Sequence, residues 1–230
     1  MAGKDSLFLL KSGRAKAHEN MAADTALLEF FPQGNTPRLR HYEWEGTCWT
    51  FGYAQHFNEV CARLPSHAHP IRRPTGGGIV DHRNDWTYAL VVPFAHPLCR
   101  MKASDSYVAV HTALAQALRK CGVPARLALC TESVKGPLSA CFMAPSPGDV
   151  VSLEGRKLAG AAQKRNRHGL LVQGSLAKAG LAVDWGAFLE IFAQMLGPIL
   201  NAEPEPWAEP FQASEGLCRH YASAQWNARR

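Results

Sequence analysis

The stretch VVSLEGRKLAGAAQKRNRHGLLVQGSL occupies residues 150–176. Its short apolar runs are separated by Glu154-Gly155 and by Arg167-His168-Gly169, whose glycines suit tight turns. Short strands joined as hairpins are therefore expected. Outward from this stretch, ARLALC adds a strand before it. LRHYEWEG, CWTFGY and DWTYALVVP, rich in aromatic and branched residues, place several more between Arg38 and Pro93. Runs of strands with few helices, rather than strict alternation, predict a single α/β (α+β) domain with its sheet covered largely on one face.

Three helices are expected around that sheet. Asn20 is placed to cap one over residues 21–31, with Met21, Ala22, Ala26, Leu27 and Phe30 on overlapping apolar faces and Pro32 and Gly34 beyond. Tyr107, Val110, Leu114 and Leu118 recur at i, i+3, i+7 and i+11, followed by Gly122 and Pro124, so this amphipathic helix should pack on the sheet. Asp184 is placed to cap a third, running through Phe188, Leu189, Phe192 and Leu196 to Gly197-Pro198. NAEPEPWAEP then reads as a connector.

The chain has 230 residues, 47% of them apolar and 19% charged, enough to bury a substantial core. No apolar run approaches the roughly 20 residues of a membrane span, and MAGKDSLFLLKSG has too short an apolar stretch for a secretory signal. A cytoplasmic protein without membrane contact is expected. The seven cysteines, an odd number without paired metal spacing, fit a reducing compartment. The net charge of +6 steers association without naming a partner, and short groups such as Arg72-Arg73 and Lys164-Arg165-Asn166-Arg167 read as solvated surface more readily than as a nucleic-acid arm. His56, His67 and His69 lie among Pro65 and Pro70 in what reads as a loop, so no structural metal is expected. Trp44, Trp49 and Trp86, set in strand-like runs, are expected to pack in or at the rim of the core.

Two constellations carry chemistry. In Arg72-Arg73-Pro74-Thr75-Gly76-Gly77-Gly78, three glycines let the backbone approach a ligand while two guanidinium groups stand beside it. That suits an anion, a phosphate or a carbonyl oxygen, although a plain glycine turn between strands fits equally. It is neither a Walker A loop nor a dinucleotide fingerprint. The second pairs Cys141, in SACFMAPS, with Lys157 on the next strand. A lysine cation would lower the pKa of a nucleophilic thiol and stabilise a developing oxyanion, whereas the bland alternatives are a small core cysteine and a surface lysine. Cys130, on the ARLALC strand, reads as a core thiol.

RRPTGGGIVDH, then WTY, then EGRKLAGAAQKR and LVQGSL, preceded by Asn20-Met21-Ala22-Ala23-Asp24, together resemble the catalytic domain of the lipoate-protein ligase and octanoyltransferase family over roughly residues 15–180. The resemblance implies a mixed sheet flanked by helices, related to biotin ligase and class II synthetase domains. The glycine loop and the lysine strand would enclose an acyl group. It further implies a catalytic domain over residues 1–200, with residues 201–230 a Pro-containing connector and C-terminal segment packed on it. Substrate contacts are implied at Arg72, Arg73, Thr75, Gly76, Gly77, Gly78, His82, Gly160, Gln163 and Gly174.

SACFMAPSP before EGRKLAGAAQ resembles the cysteine-dependent octanoyltransferases of that family. In that branch an acyl group passes from octanoyl-acyl carrier protein to a cysteine, here Cys141, and on to a lysine of a lipoyl-domain protein. That protein would be the glycine-cleavage carrier or a 2-oxoacid dehydrogenase subunit. Lys157 polarises the carbonyl and no cofactor is required. The alternatives are an ATP- and Mg-dependent lipoate-protein ligase, a biotin ligase, and a silent binder of acyl chains, lipoyl domains or nucleic acid. A monomer with no nucleic-acid role is expected. Two departures stand out: the family's aspartate after the histidine is Arg83 here, and its His-Gly is Gln173-Gly174. Glutamine hydrogen-bonds but is no base.

Overall fold

In chain order the strands are β1 (Asp5–Ala15), β2 (Arg38–Trp44), β3 (Trp49–Phe51), β4 (Ile71–Arg72), β5 (Val80–Asp81), β6 (Asp85–Pro93), β7 (Ala125–Leu127), β8 (Val150–Ser152), β9 (Lys157–Asn166), β10 (Gly169–Ala177) and β11 (Ala202–Pro206). The helices are α1 (Ala17–Glu29), α2 (Phe57–Cys61), α3 (Pro97–Arg100), α4 (Ala103–Lys120), α5 (Phe188–Leu200), α6 (Glu215–Ala222) and α7 (Ala224–Asn227). The structure, a computed structural model, describes residues 5–129 and 145–229. Cys130 and Cys141 fall outside the described residues.

Among the described residues, the strands read at 150–176 become β8, β9 and β10, on one side of an eight-stranded sheet ordered β11-β1-β2-β6-β10-β9-β8-β7. β1 runs parallel to both its neighbours, and every other pairing is antiparallel, so the sheet is mixed. A small sheet, β4-β3-β5, stands apart and carries the glycine loop between β4 and β5.

Both faces of the large sheet are covered, which corrects the expectation of one. Trp86, Tyr88, Leu90 and Val92 of β6 pack with α4 and α5, while Ala89 and Val91 join α1, Tyr221 and Trp226 on the opposite face. All nine residues of β6 are buried, as a strand covered on one side cannot be. The near-continuous apolar run in DWTYALVVP is the signature of such a strand. Each fully buried Leu, Val or Phe contributes about 1.5–3 kcal/mol to holding these layers together.

Other boundaries also move. α1 starts at Ala17 with Lys16 as its N-cap, whose N–H donates to Glu19 Oε2 at 2.9 Å. Asn20 therefore does not cap it but lies inside the helix, buried, where its amide donates to Glu43 O at 3.0 Å. Asp184 accepts from Gly186 N at 3.0 Å and caps a turn ahead of α5 rather than the helix itself. α5 runs past Gly197-Pro198 to end at Asn201 in the left-handed region, φ 48°. The expected connector at 202–206 is an edge strand parallel to β1, where Pro204 and Pro206 are tolerated because an edge strand leaves one side of its backbone unpaired. α4 is the expected amphipathic helix, followed by Gly122 at φ +79°. Among the described residues no helix is long and apolar enough to cross a membrane, and Cys48, Cys61, Cys99, Cys121 and Cys218 are free thiols.

Candidate active site

A cavity of about 850 Å³ opens beside β9. Its origin lies in the register: pairing of β8 with β9 ends at Val150 and Ala159, so among the described residues one edge of β9 has no strand neighbour from Gly160 onward. Gly160, Ala161 and Ala162 then present almost no side chain, and the freed Ala161 N–H donates to Tyr107 Oη of α4 at 3.1 Å. Space bounded by a small-residue strand and by Met21, Tyr42 and Trp44 suits an apolar chain.

One wall is ionic. Lys157 Nζ lies 2.7 Å from Asp149 Oδ2, with side chains only 7% and 1% exposed. The same oxygen accepts from Ser146 N at 2.7 Å, while Oδ1 accepts from the Tyr107 hydroxyl. Gly160 makes room for the lysine, since a Cβ there would stand 2.8 Å from Lys157 Cε. Burial and the Asp149 carboxylate push the Tyr107 phenol well above its ordinary value, so it stays a donor. Behind them, buried His111 bonds through Nδ1 to Gly148 O at 2.7 Å, and burial lowers its pKa to about 4, leaving the ring neutral.

The glycine loop forms another wall, with Gly76 and Gly77 on the lining. Arg73 Nη2 donates to Gly76 O at 2.9 Å and Gly78 O at 2.8 Å, stapling the loop, and its Nη1 donates to Thr50 Oγ1 at 2.7 Å. Thr50 Oγ1 meets His82 Nε2 at 2.7 Å, and His82 Nδ1 meets Asp85 Oδ2 at 2.7 Å. With the ring also stacked on Trp44 at 4.0 Å between centroids, His82 holds the loop in place, and both its nitrogens are engaged. The carboxylate that orients it comes from Asp85, while Arg83 pairs on the surface with Asp81. Gly77 sits at φ +85°, and Gly52 has to be glycine because a Cβ would fall 1.9 Å from Gly77 O.

Of the expected contact residues, Arg73, Gly76, Gly77, His82, Gly160, Gln163 and Gly174 line the cavity together with Lys157. Arg72, Thr75 and Gly78 are not among its lining residues. Arg72 is wholly buried, and its guanidinium donates to Tyr53 O, Gln55 O and Asn227 O at 2.7, 2.8 and 2.8 Å. It anchors the C-terminal helix to β4, with Asn227 Oδ1 accepting from Arg72 N at 2.8 Å. Thr75 instead donates to Gln173 Oε1 at 2.7 Å, and Gln173 Nε2 donates to Asp24 Oδ2 at 2.7 Å. Gln173 thus ties the glycine loop to α1. Gly174 is obligatory for a packing reason, since its Cβ would collide with the Tyr88 ring at 2.2 Å. Trp49 and Trp86 are buried, and Trp44 is buried at the cavity wall, as expected.

Asp149 and Tyr107 escaped the reading of the sequence. An acid eight positions before a lysine, across a turn, has no motif spacing, and Tyr107 looks like one more apolar helix position. Only the register of β8 against β9 brings Asp149, Lys157 and Tyr107 together.

Comparison with known proteins follows the same lines. The Lipoyl protein ligase A/B catalytic domain family matches residues 16–192. The octanoyltransferase LipM of Kyrpidia tusciae is 36% identical over 180 residues, covering 73% of this chain and 64% of the relative. That of Bacillus subtilis is 33% identical over 183 residues, covering 75% and 66%. The chain thus spans about two thirds of the length of these curated relatives. In three dimensions the bi-partite lipoate protein ligase of Thermoplasma acidophilum has a TM-score of 0.70 at 18% identity, covering 98% of this chain and 96% of that one, a likeness of fold. With the family model spanning residues 16–192 and curated relatives 33–36% identical over about three quarters of the chain, the chain belongs to the lipoyl protein ligase A/B catalytic-domain family.

Proposed function

We propose that this protein is an acyltransferase of protein lipoylation, moving an octanoyl or lipoyl group from acyl carrier protein to a lysine of a lipoyl-domain protein, by way of a thioester on Cys141. The observation that carries the reading is a buried lysine cation at one wall of an apolar cavity floored by Gly160, Ala161 and Ala162. The curated relatives named as octanoyltransferases support it. Leu129 and Ser146, on either side of the undescribed stretch that contains Cys141, both line this cavity.

In the first step the Cys141 thiolate attacks the donor's thioester carbon. The carbonyl electrons move to oxygen, where Lys157 Nζ and backbone N–H groups stabilise the charge, and the carrier's C–S bond breaks, its thiolate taking up a proton. In the second step the unprotonated acceptor amine attacks the acyl-enzyme. The Cys141 C–S bond breaks, the amine proton passes to the departing thiolate or water, and an amide replaces the thioester. Exchange of thioesters is nearly neutral and amide formation runs downhill, so no nucleotide is consumed. On this reading Gly76, Gly77, Gly160, Gln163 and Gly174 bound the acyl chain. Arg73 and His82 keep the loop closed on it, and the enzyme works as a cytoplasmic monomer.

The test is intact-protein mass spectrometry after mixing the protein with octanoyl-acyl carrier protein in the absence of ATP. A mass gain of one octanoyl group, lost in Cys141→Ala, is the expected result. No adduct, but modification of a lipoyl domain once ATP, Mg and free lipoate are added, would replace the transferase with the ligase.

A further inference from the structure

From the geometry around Lys157 we infer that Asp149 and Tyr107 are positioning residues that hold the lysine as a fixed cation at the cavity wall; the inference rests on the acyl-transfer reading for its kinetic consequence. The hydrogen bonds leave little freedom of assignment. The Ala161 N–H can only donate, so Tyr107 Oη accepts it at 3.1 Å and sends its single proton to Asp149 Oδ1. The other carboxylate oxygen takes Lys157 Nζ and Ser146 N, each at 2.7 Å. The carboxylate plane is thereby set by groups on α4, on β9 and on the loop entering β8. His111 anchors that loop through Gly148 O and remains neutral, so it brings no second cation to the carboxylate.

Among the described residues, the groups that face Asp149 are the Lys157 ammonium, the Tyr107 and Tyr88 phenols, the Ser146 N–H and the neutral His111 ring. A lysine side chain has a flexible four-carbon stem and three rotatable donors. Locked against Asp149 through its side, with Gly160 leaving space at Cε, it presents its charge at a constant place beside β9. A buried ion pair is often no more stabilising than well-packed apolar residues, and this one, unlike one walled into the core, stands on the cavity lining where its charge is within reach of a ligand.

The experiment combines two readouts on the full chain. The first is the steady-state rate of octanoyl transfer for Asp149→Asn, Tyr107→Phe, Lys157→Ala and the doubles with Lys157→Ala. Asp149→Asn should lower kcat on the order of 10- to 100-fold, Tyr107→Phe less, with KM for the donor within about twofold. In the Lys157→Ala background neither substitution should lower the rate further, because both act through the lysine. Full additivity, or a normal rate in Asp149→Asn, overturns the inference. The second readout is independent of turnover: the rate at which acetic anhydride modifies Lys157, followed by peptide mass spectrometry, should rise severalfold in both single variants. If wild type transfers no acyl group yet this labelling rises, the transferase reading fails and the positioning stands. Unchanged labelling sinks the positioning itself. Tyr107→Phe, which keeps the ring and every charge, serves both assays if Asp149→Asn does not fold.

Discussion

Two buried ion pairs, one on the lining of the cavity and one behind it, are built differently. Arg40 Nη1 meets Asp24 Oδ1 at 2.7 Å with side chains 2% and 0% exposed. The rest of the guanidinium fork is filled by Ser12 Oγ and Asn20 Oδ1, each at 2.7 Å, and its face lies 4.1 Å from the Tyr42 ring centroid. Asp24 is likewise occupied, taking Tyr42 Oη at 2.9 Å and Gln173 Nε2 at 2.7 Å. This pair welds α1, β2 and β10 together, behind the Met21 and Tyr42 side chains that face the cavity. Lys157 and Asp149, by contrast, both line the cavity. A planar fork with each of its three nitrogens matched makes a rigid joint, whereas a compact ammonium at a wall is a charge aimed at a ligand. Burial alone does not distinguish them.

The comparison breaks most readily at the weld. Asp24→Ala strands the Arg40 charge in the interior and should cost about 3–5 kcal/mol, read as a lower urea midpoint at unchanged m-value. Lys157→Ala leaves the Asp149 carboxylate at the wall of an open cavity, still bonded by Ser146 N and the Tyr107 hydroxyl, and should cost less, about 1–3 kcal/mol, while lowering kcat by roughly 100- to 1000-fold. Equal stability losses at the two sites would erase the distinction.

A smaller effect tests whether Asp149 serves one cation. His111 has its pKa lowered by burial to about 4, against about 6.5 when unfolded, so between those values the unfolded chain binds a proton that the folded chain refuses. Stability therefore falls as pH drops from about 6.5 to about 4, by roughly 3 kcal/mol in all, and this contribution stays constant above that window. His111→Asn, which keeps a donor for Gly148 O, should lose that slope in denaturation curves at pH 4–7. Parallel curves for variant and wild type would mean that His111 is charged and shares Asp149.

The smallest effects come from two glycines. Gly160→Ala puts a methyl group 2.8 Å from Lys157 Cε and should slow transfer about tenfold by displacing the ammonium. Gly76→Ala meets no protein atom within 4 Å, so its methyl group crowds only the acyl chain and should slow transfer a fewfold, through KM for the donor rather than kcat. The ratio of the two rates measures how much the site depends on the lysine's place rather than on the openness of the loop.

Much of the cavity was legible before folding was considered. RRPTGGG and EGRKLAGAAQ name the two walls because their chemistry is local: glycines that permit close backbone approach, and a lysine beside a small-residue strand. Arg72 and Arg73 could not be told apart, being identical neighbours. Alternation along β4 sends one side chain to the Asn227 carbonyl of the C-terminal helix and leaves the other to staple the loop. Gln173, read as a departure that can hydrogen-bond but cannot act as a base, becomes a clasp once Asp24 and Thr75 converge on it from 149 and 98 residues away.

What the amino-acid sequence by itself determined is whatever depends on neighbours in the chain. The hairpin at 150–176, the amphipathic period of α4 and the glycine loop are such features, since periodicity and turn chemistry act over a few residues. Strand order, the covering of both sheet faces, the edge strand at 202–206 and the Asp149–Lys157–Tyr107 constellation were decided only by the tertiary structure. Each depends on register between segments far apart in sequence, and a shift of one residue in β8 against β9 would turn Lys157 to the other face of the sheet. The charges were written in the chain, and the packing decided which of them became a weld and which faced the cavity.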